Sequence, residues 1–198
     1  MSLINGDGRG AVLVRAADAE VLGGGPSTIR LLADADTTDG AISANRTMLG
    51  QGADGPPPHY HQGSAEIFFL LGGSLQTLAG DRVVTLEEGD FLVVPRMMPH
   101  AFAAPPGAPA DVLILFAPGV NDRFEYFRLG DRVIKGQASP QEILASQERF
   151  DNHFIESPIW RQARTTDAWR QRSQGSARHP AHRWAKPSTT RVASSRAR

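Results

Sequence analysis

The sequence predicts an all-β domain, a small antiparallel barrel or sandwich, followed by helices. Three observations carry this. Short apolar runs follow one another from Ser27 to Phe116, separated by frequent Gly and Pro turns, which is the pattern of antiparallel strands joined by tight turns. No helical stretch intervenes between those runs. Helix signals start only after Pro118, where Ser139-Pro140-Gln141-Glu142 has the capping-box form with proline in the first helical position.

Residues 1–24 form an N-terminal arm with one strand candidate, Ala11–Arg15, before a GGGP break at 23–26. Residues 25–120 form the barrel. Its first strands are Ser27–Ala33 and Ala41–Leu49, divided by the polar turn Asp34–Gly40. A loop from Gly50 carries Pro56–Pro58, which fix φ ahead of the next segment. Ala65–Leu71 is a strand, Gly72-Gly73 a turn, and Ser74–Leu78 the following strand. Arg82–Leu86, Phe91–Pro95, His100–Ala104 and Asp111–Phe116 complete the set. Residues 121–165 are expected to be a helical extension packed on the barrel. Asn121–Leu129 opens it, and a second helix from Pro140 is expected to reach about Phe154, with Ile143, Phe150 and Phe154 as its apolar stripe. Residues 166–198, rich in Arg, Ser, Ala and Pro, are expected to be a disordered basic tail.

Composition excludes several classes. The 198 residues contain no cysteine, so disulfides and thiolate metal sites are ruled out. The first residues have no basic start followed by an apolar stretch, no run approaches a membrane span, and a cytoplasmic protein is expected. Net charge is zero, but unevenly spread: residues 161–198 hold ten of the 21 Lys/Arg and one of the 21 Asp/Glu, leaving 11 basic and 20 acidic groups in residues 1–160. The tail matches no nucleic-acid motif, so a solvated appendage is expected and nucleic acid is not expected as a partner.

The chemistry concentrates between Gly55 and Gly73, GPPPHYHQGSAEIFFLLGG. In an extended strand alternate side chains share a face, about 6.8 Å apart. His59 and His61 can therefore point one way and Tyr60 the other. Glu66 follows five residues on, and the stretch Gly89–Ala103 supplies His100. Two histidines one residue apart are by themselves usually structural, and a lone glutamate is usually solvated; the joint pattern with a third histidine points to a metal site. If Glu66 faces inward, so by parity do Phe68 and Leu70; if His100 does, so does Phe102. These three would line an apolar small-molecule pocket. Arg46 and Gln51 could reach such a pocket from the strand preceding the ligands, but neither is expected to. His153, His179 and His182 read as packed or solvated residues, and Met97 and Met98 as loop packing.

These blocks resemble the two motifs of the cupin superfamily. His59, His61, Glu66 and Gly73 match the first, and Gly89, Pro95 and His100 match the second. Departures fall at turn and packing positions: Ala53 stands for the leading glycine, Met97 for a glycine and Ala104 for an asparagine. The resemblance covers about residues 25–120. It implies a jelly-roll cupin barrel and His59, His61, Glu66 and His100 as ligands of one divalent transition metal ion: iron first, with nickel, cobalt, manganese or zinc as alternatives. It also implies a homodimer. Single-domain bacterial cupins with a helical tail include quercetinase-like dioxygenases, in which the glutamate also serves as base; by position that is Glu66. The function expected is therefore a dioxygenase acting on a small phenolic or enolic substrate with O2. The alternatives are a non-redox cupin enzyme (polyketide cyclase or isomerase) and a non-catalytic small-molecule binder.

Overall fold

A computed structural model describes residues 11–165; the basic tail, with His179 and His182, lies outside the described residues. Among the described residues ten strands and four helices follow one another: β1 Val21–Gly24, β2 Ser27–Ala33, β3 Ser43–Leu49, β4 His59–Tyr60, β5 Ala65–Ala79, β6 Arg82–Glu87, β7 Phe91–Val94, β8 His100–Ala103, β9 Ala110–Ala117, α1 Arg123–Ile134, α2 Pro140–Ala145, α3 Gln147–Phe150, β10 His153–Phe154 and α4 Pro158–Arg164. Every pairing is antiparallel. The all-β, jelly-roll-type architecture with C-terminal helices is thus present.

One strand belongs to both layers. The first half of β5 pairs with β9 and β7, and the second half with β6 and β8. One layer therefore runs β1-β2-β3-β9-β5-β7 and the other β6-β5-β8-β4-β10. Along the first half of β5, burial alternates: Glu66, Phe68 and Leu70 face inward, and Ile67, Phe69 and Leu71 outward. β9 alternates the same way, with Val112, Ile114 and Phe116 inside. These residues, with Leu75, Val94 and Phe102, fill the space between the layers.

Three local expectations need correction. Gly72-Gly73 is not a turn between two strands. The chain bends there and stays in the sheet, with a register shift against β9 between Leu70 and Gly72. Gly73 takes φ +77°, and a Cβ there would lie 2.0 Å from the Pro109 carbonyl oxygen, so only glycine fits. The helix from Pro140 keeps its capping box but stops at Ala145; α3 follows, and Asp151 at φ 49° ends it. Phe154 then lies in a strand, because its segment can pair with β4. The Ala11–Arg15 run is not a strand; Val21–Gly24 instead forms a hairpin with β2 across Gly25-Pro26. Arg46 and Gln51 do not reach the interior: Arg46 forms a two-pronged ion pair with Asp111, and Gln51 bonds to the Pro106 carbonyl.

The C-terminal segment is tied to the barrel. Asp34 closes a short 3-10 turn with a capping box, and its other carboxylate oxygen accepts the Phe124 N–H in the first turn of α1. The helix thus takes its cap from the barrel, since Asp122 makes no side-chain cap bond. At the far end Arg164 donates to Asp54, Gln76 and the carbonyls of Ala104 and Gly52. No described helix is long and apolar enough to cross a membrane.

Candidate metal centre

The four residues of the sequence pattern meet between the layers. β4 and the residue after it present His59 and His61, β8 begins with His100 directly opposite His59, and β5 brings Glu66 from the facing layer. Tyr60 points away and stacks on His153 outside. All four are buried, and one ligand atom from each lies within 4.8 Å of the others. Glu66 Oε2 sits at the focus, 2.6 Å from His100 Nε2, 3.0 Å from His61 Nε2 and 3.8 Å from His59 Nε2.

The far side of each ring sets what the near side can do. His59 Nδ1 lies 2.9 Å from the Pro57 carbonyl oxygen, His100 Nδ1 lies 2.9 Å from that of Met98, and His61 Nδ1 contacts that of Asp151. A carbonyl can only accept, so each Nδ1 carries the hydrogen and donates it. In the neutral rings each Nε2 is then a lone pair, and all three aim at a carboxylate. Four acceptors this close repel one another unless a proton or a cation sits among them. This is the second layer expected around histidines that hold a metal, and three imidazoles with one carboxylate suit a borderline divalent transition ion.

The charges respond accordingly. Burial pulls His59 down to about 4, against the pull of Glu66, so it is neutral. Burial also works to lower His100, but Glu66 outweighs it and raises this ring above its ordinary value. Burial would raise Glu66; the His100 charge and the three histidine contacts instead hold its carboxyl well below the usual range.

Phe68, Leu70 and Phe102 share the inner face with Glu66 and His100. The Phe68 ring meets Phe102 at 5.4 Å and His100 at 6.4 Å, while Leu70 is fully buried further along. Two clefts open beside the barrel. One of about 330 Å³ is lined by Gln62, Gly63, Asp151 and His153, and one of about 470 Å³ by Pro56–Pro58, Phe102, Trp160 and Arg164. The four clustered side chains line neither.

Two residues were missed by sequence reasoning. Asp151 carries the carbonyl that holds His61. Arg123 is 1 % exposed, and its guanidinium lies over Phe116 (4.2 Å), Tyr126 (5.2 Å) and Phe127 (5.9 Å), while Phe116 packs edge-on against His61. Nη2 donates to the Phe150 carbonyl, and Nε has no partner among the described residues. Burial lowers its pKa, opposed by several charges including Glu66. The aromatic residues three and four positions after Arg123 were the available signal, being the spacing of helix neighbours.

The family model of the cupin domain matches residues 45–116, from β3 to β9, a span containing all four clustered residues. That match supports placing the barrel in the cupin superfamily. Among curated proteins none matches the chain. Similar solved structures include KdgF from Halomonas sp. (21% identity, 57% of this chain and 98% of that one, TM-score 0.48). A polyketide cyclase, RemF from Streptomyces resistomycificus, is similar at 20% identity (62% and 96%, TM-score 0.45). An RmlC-like cupin from Shewanella frigidimarina is similar at 17% identity (54% and 89%, TM-score 0.45). Likenesses at this level carry no inference about activity.

Proposed function

We propose that this cupin-type barrel is a mononuclear metal enzyme acting on a small molecule, and that its reaction is a quercetinase-like dioxygenation of a phenolic or enolic substrate. The observation that carries the metal reading is the set of three Nδ1–H groups committed to backbone carbonyls, which leaves three Nε2 lone pairs converging on Glu66. His59, His61, Glu66 and His100 would hold the ion. A bound divalent metal would supply Lewis acidity and, if redox-active such as iron, an electron route to O2.

The chain's own residues do the rest. Glu66 is ionised at neutral pH, so it can accept the proton of a substrate hydroxyl as that group becomes an enolate or phenolate. Held well below the usual carboxylate range, it is a weak base, and the substrate must become more acidic in the site. Phe68, Leu70 and Phe102 would present apolar surface to an aromatic ring and exclude water. In the test, protein loaded with ferrous, nickel, cobalt or manganese ion is offered flavonols and related enols in an oxygen electrode. Absence of O2 uptake with every loaded metal sinks the dioxygenase reading.

A second reading, a non-redox cyclase or isomerase, is favoured by Arg123. A buried guanidinium near the centre could steady an enolate without electron transfer. It predicts turnover with zinc and without O2. A third, a non-catalytic small-molecule binder, predicts ligand binding without product.

We also propose that two copies associate through the outer face of the β9-β5-β7 layer. Cross-strand rows Leu113–Phe69–Phe91 and Leu115–Ile67–Val93 make a continuous apolar strip. Phe91 is 63 % and Val93 49 % exposed, and β7 is an edge strand. Light scattering should show a dimer that Phe91→Glu reduces to a monomer; a wild-type monomer overturns this.

A further inference from the structure

The three histidines are not held alike. The carbonyls that accept from His59 and His100 belong to Pro57 and Met98, two residues earlier in the same segment. They are built in with the strand. The carbonyl that accepts from His61 belongs to Asp151, 90 residues later, at the left-handed residue that ends α3. His61 therefore depends on how the C-terminal extension is seated.

Asp151 does the seating with its side chain. Its Oδ1 accepts the Gln62 N–H at 2.7 Å and its Oδ2 the Gly63 N–H at 2.8 Å. One residue thus grips the turn just after His61 by its carboxylate and the His61 ring by its carbonyl. The residues beyond it continue the grip: Phe154 pairs with His59, His153 with Tyr60, and the Ile155 N–H donates to the Pro58 carbonyl at 2.9 Å. Gly63 is the right neighbour, since a Cβ there would sit 3.2 Å from Oδ2. The backbone of Asp151 stands at φ 49°, ψ 50°, a conformation that Asp, Asn and Gly tolerate best.

We propose that Asp151 is a positioning residue of the centre: its carboxylate clamps residues 62–63 so that its own carbonyl fixes His61 as the Nδ1–H tautomer, with Nε2 toward Glu66. The inference rests on the metal reading above for its consequence, though not for its geometry. A metal-bearing histidine needs its ring orientation and tautomer set from behind. Here the barrel sets two, and the extension sets the third.

The test compares the intact chain with Asp151→Gly, Asp151→Asn and Arg164→Ala. Asp151→Gly keeps the left-handed backbone and the carbonyl and removes the clamp. Asp151→Asn keeps one acceptor. Arg164→Ala loosens the end of the extension without touching His61. Two readouts are taken: imidazole 15N shifts in the metal-free protein, and Zn2+ affinity with the visible spectrum of the Co2+ form. Expected in the intact protein is a single Nδ1–H tautomer at His61. In Asp151→Gly that signal averages between tautomers, the His59 and His100 signals stay, and Zn2+ binds roughly 10- to 100-fold more weakly with a shifted Co2+ spectrum. Asp151→Asn falls between, and Arg164→Ala stays with the intact protein. Wild-type tautomer and affinity in Asp151→Gly overturn the proposal, as does the same loss in Arg164→Ala. If Asp151→Gly does not fold, a wild-type value for Asp151→Asn overturns it. Should the intact protein bind neither Zn2+ nor Co2+, the metal reading fails while the 15N shifts still decide the role of Asp151.

Discussion

Loading the centre with Zn2+ should expel about one proton, and the structure says which. Three Nδ1 hydrogens are committed to carbonyls. That leaves three Nε2 atoms and one carboxylate oxygen, and at most one further proton relieves their repulsion. His59, pulled down to about 4, does not carry it at neutral pH. His100, raised above its ordinary 6.5 and 2.6 Å from Glu66 Oε2, is the ring that holds it below its folded pKa. Below the folded pKa of His100 each bound ion must displace that proton, so apparent affinity should rise about tenfold per pH unit, about 1.4 kcal/mol each, and level off above it. Titrating metal-free protein with Zn2+ in weak buffer with a pH indicator counts the protons, and affinities at several pH values give the slope. Zero protons released at about pH 6, with a flat affinity profile, would refute the account of four converging acceptors.

The same groups set the stability of the metal-free protein. A raised pKa contributes stability that is complete below the unfolded value of 6.5 and is lost as pH climbs through the folded value, which is the His100 limb. The lowered His59 acts on the other side: from pH 6.5 down to about 4 the unfolded chain takes up a proton that the folded one refuses. That limb costs roughly 3 kcal/mol. Urea midpoints should therefore peak near pH 6.5, and His59→Gln should remove the acid limb; an unchanged limb in that variant contradicts the assignment. Gly73→Ala forces a Cβ to 2.0 Å from the Pro109 oxygen at φ +77°, and should lower unfolding free energy by roughly 3 kcal/mol. Met97, at φ 64° and 58 % exposed, should behave oppositely: Met97→Gly should stabilise by about 0.5–1 kcal/mol in the same measurement.

Met97 also shows what a motif conveys. The turn position that the family fills with glycine keeps a left-handed backbone here although the residue has changed. Its amide still donates to the His61 carbonyl at 2.8 Å. Strand parity around Glu66 and His100 was legible because period two survives any tertiary detail: Phe68, Leu70 and Phe102 all point inward. The β5 bend was not, since a glycine pair reads equally as a turn or a bulge, and only the partner strand decides. Nor was the broken helix after Pro140. Ile143, Phe150 and Phe154 have near-helical spacing, yet α2 stops at Ala145 and α3 ends at Asp151, whose carboxylate is held by residues 62–63. Contacts reaching 90 residues along the chain leave no local mark, so Asp151 stayed invisible. Arg123 had a faint one in Tyr126 and Phe127, but charge beside aromatic residues is ordinary on a helix surface, and its burial comes from the barrel beneath.

The strand β5 has one more consequence. Two layers that exchange a continuous strand cannot melt separately: withdrawing either half of β5 strips β9 and β7, or β6 and β8, of a partner in the same event. Amides along all 15 of its residues should then exchange with solvent only when the whole barrel opens, at a common rate in both layers. Glu66 lies near one end of that strand, so the carboxylate of the centre sits on the last element to let go.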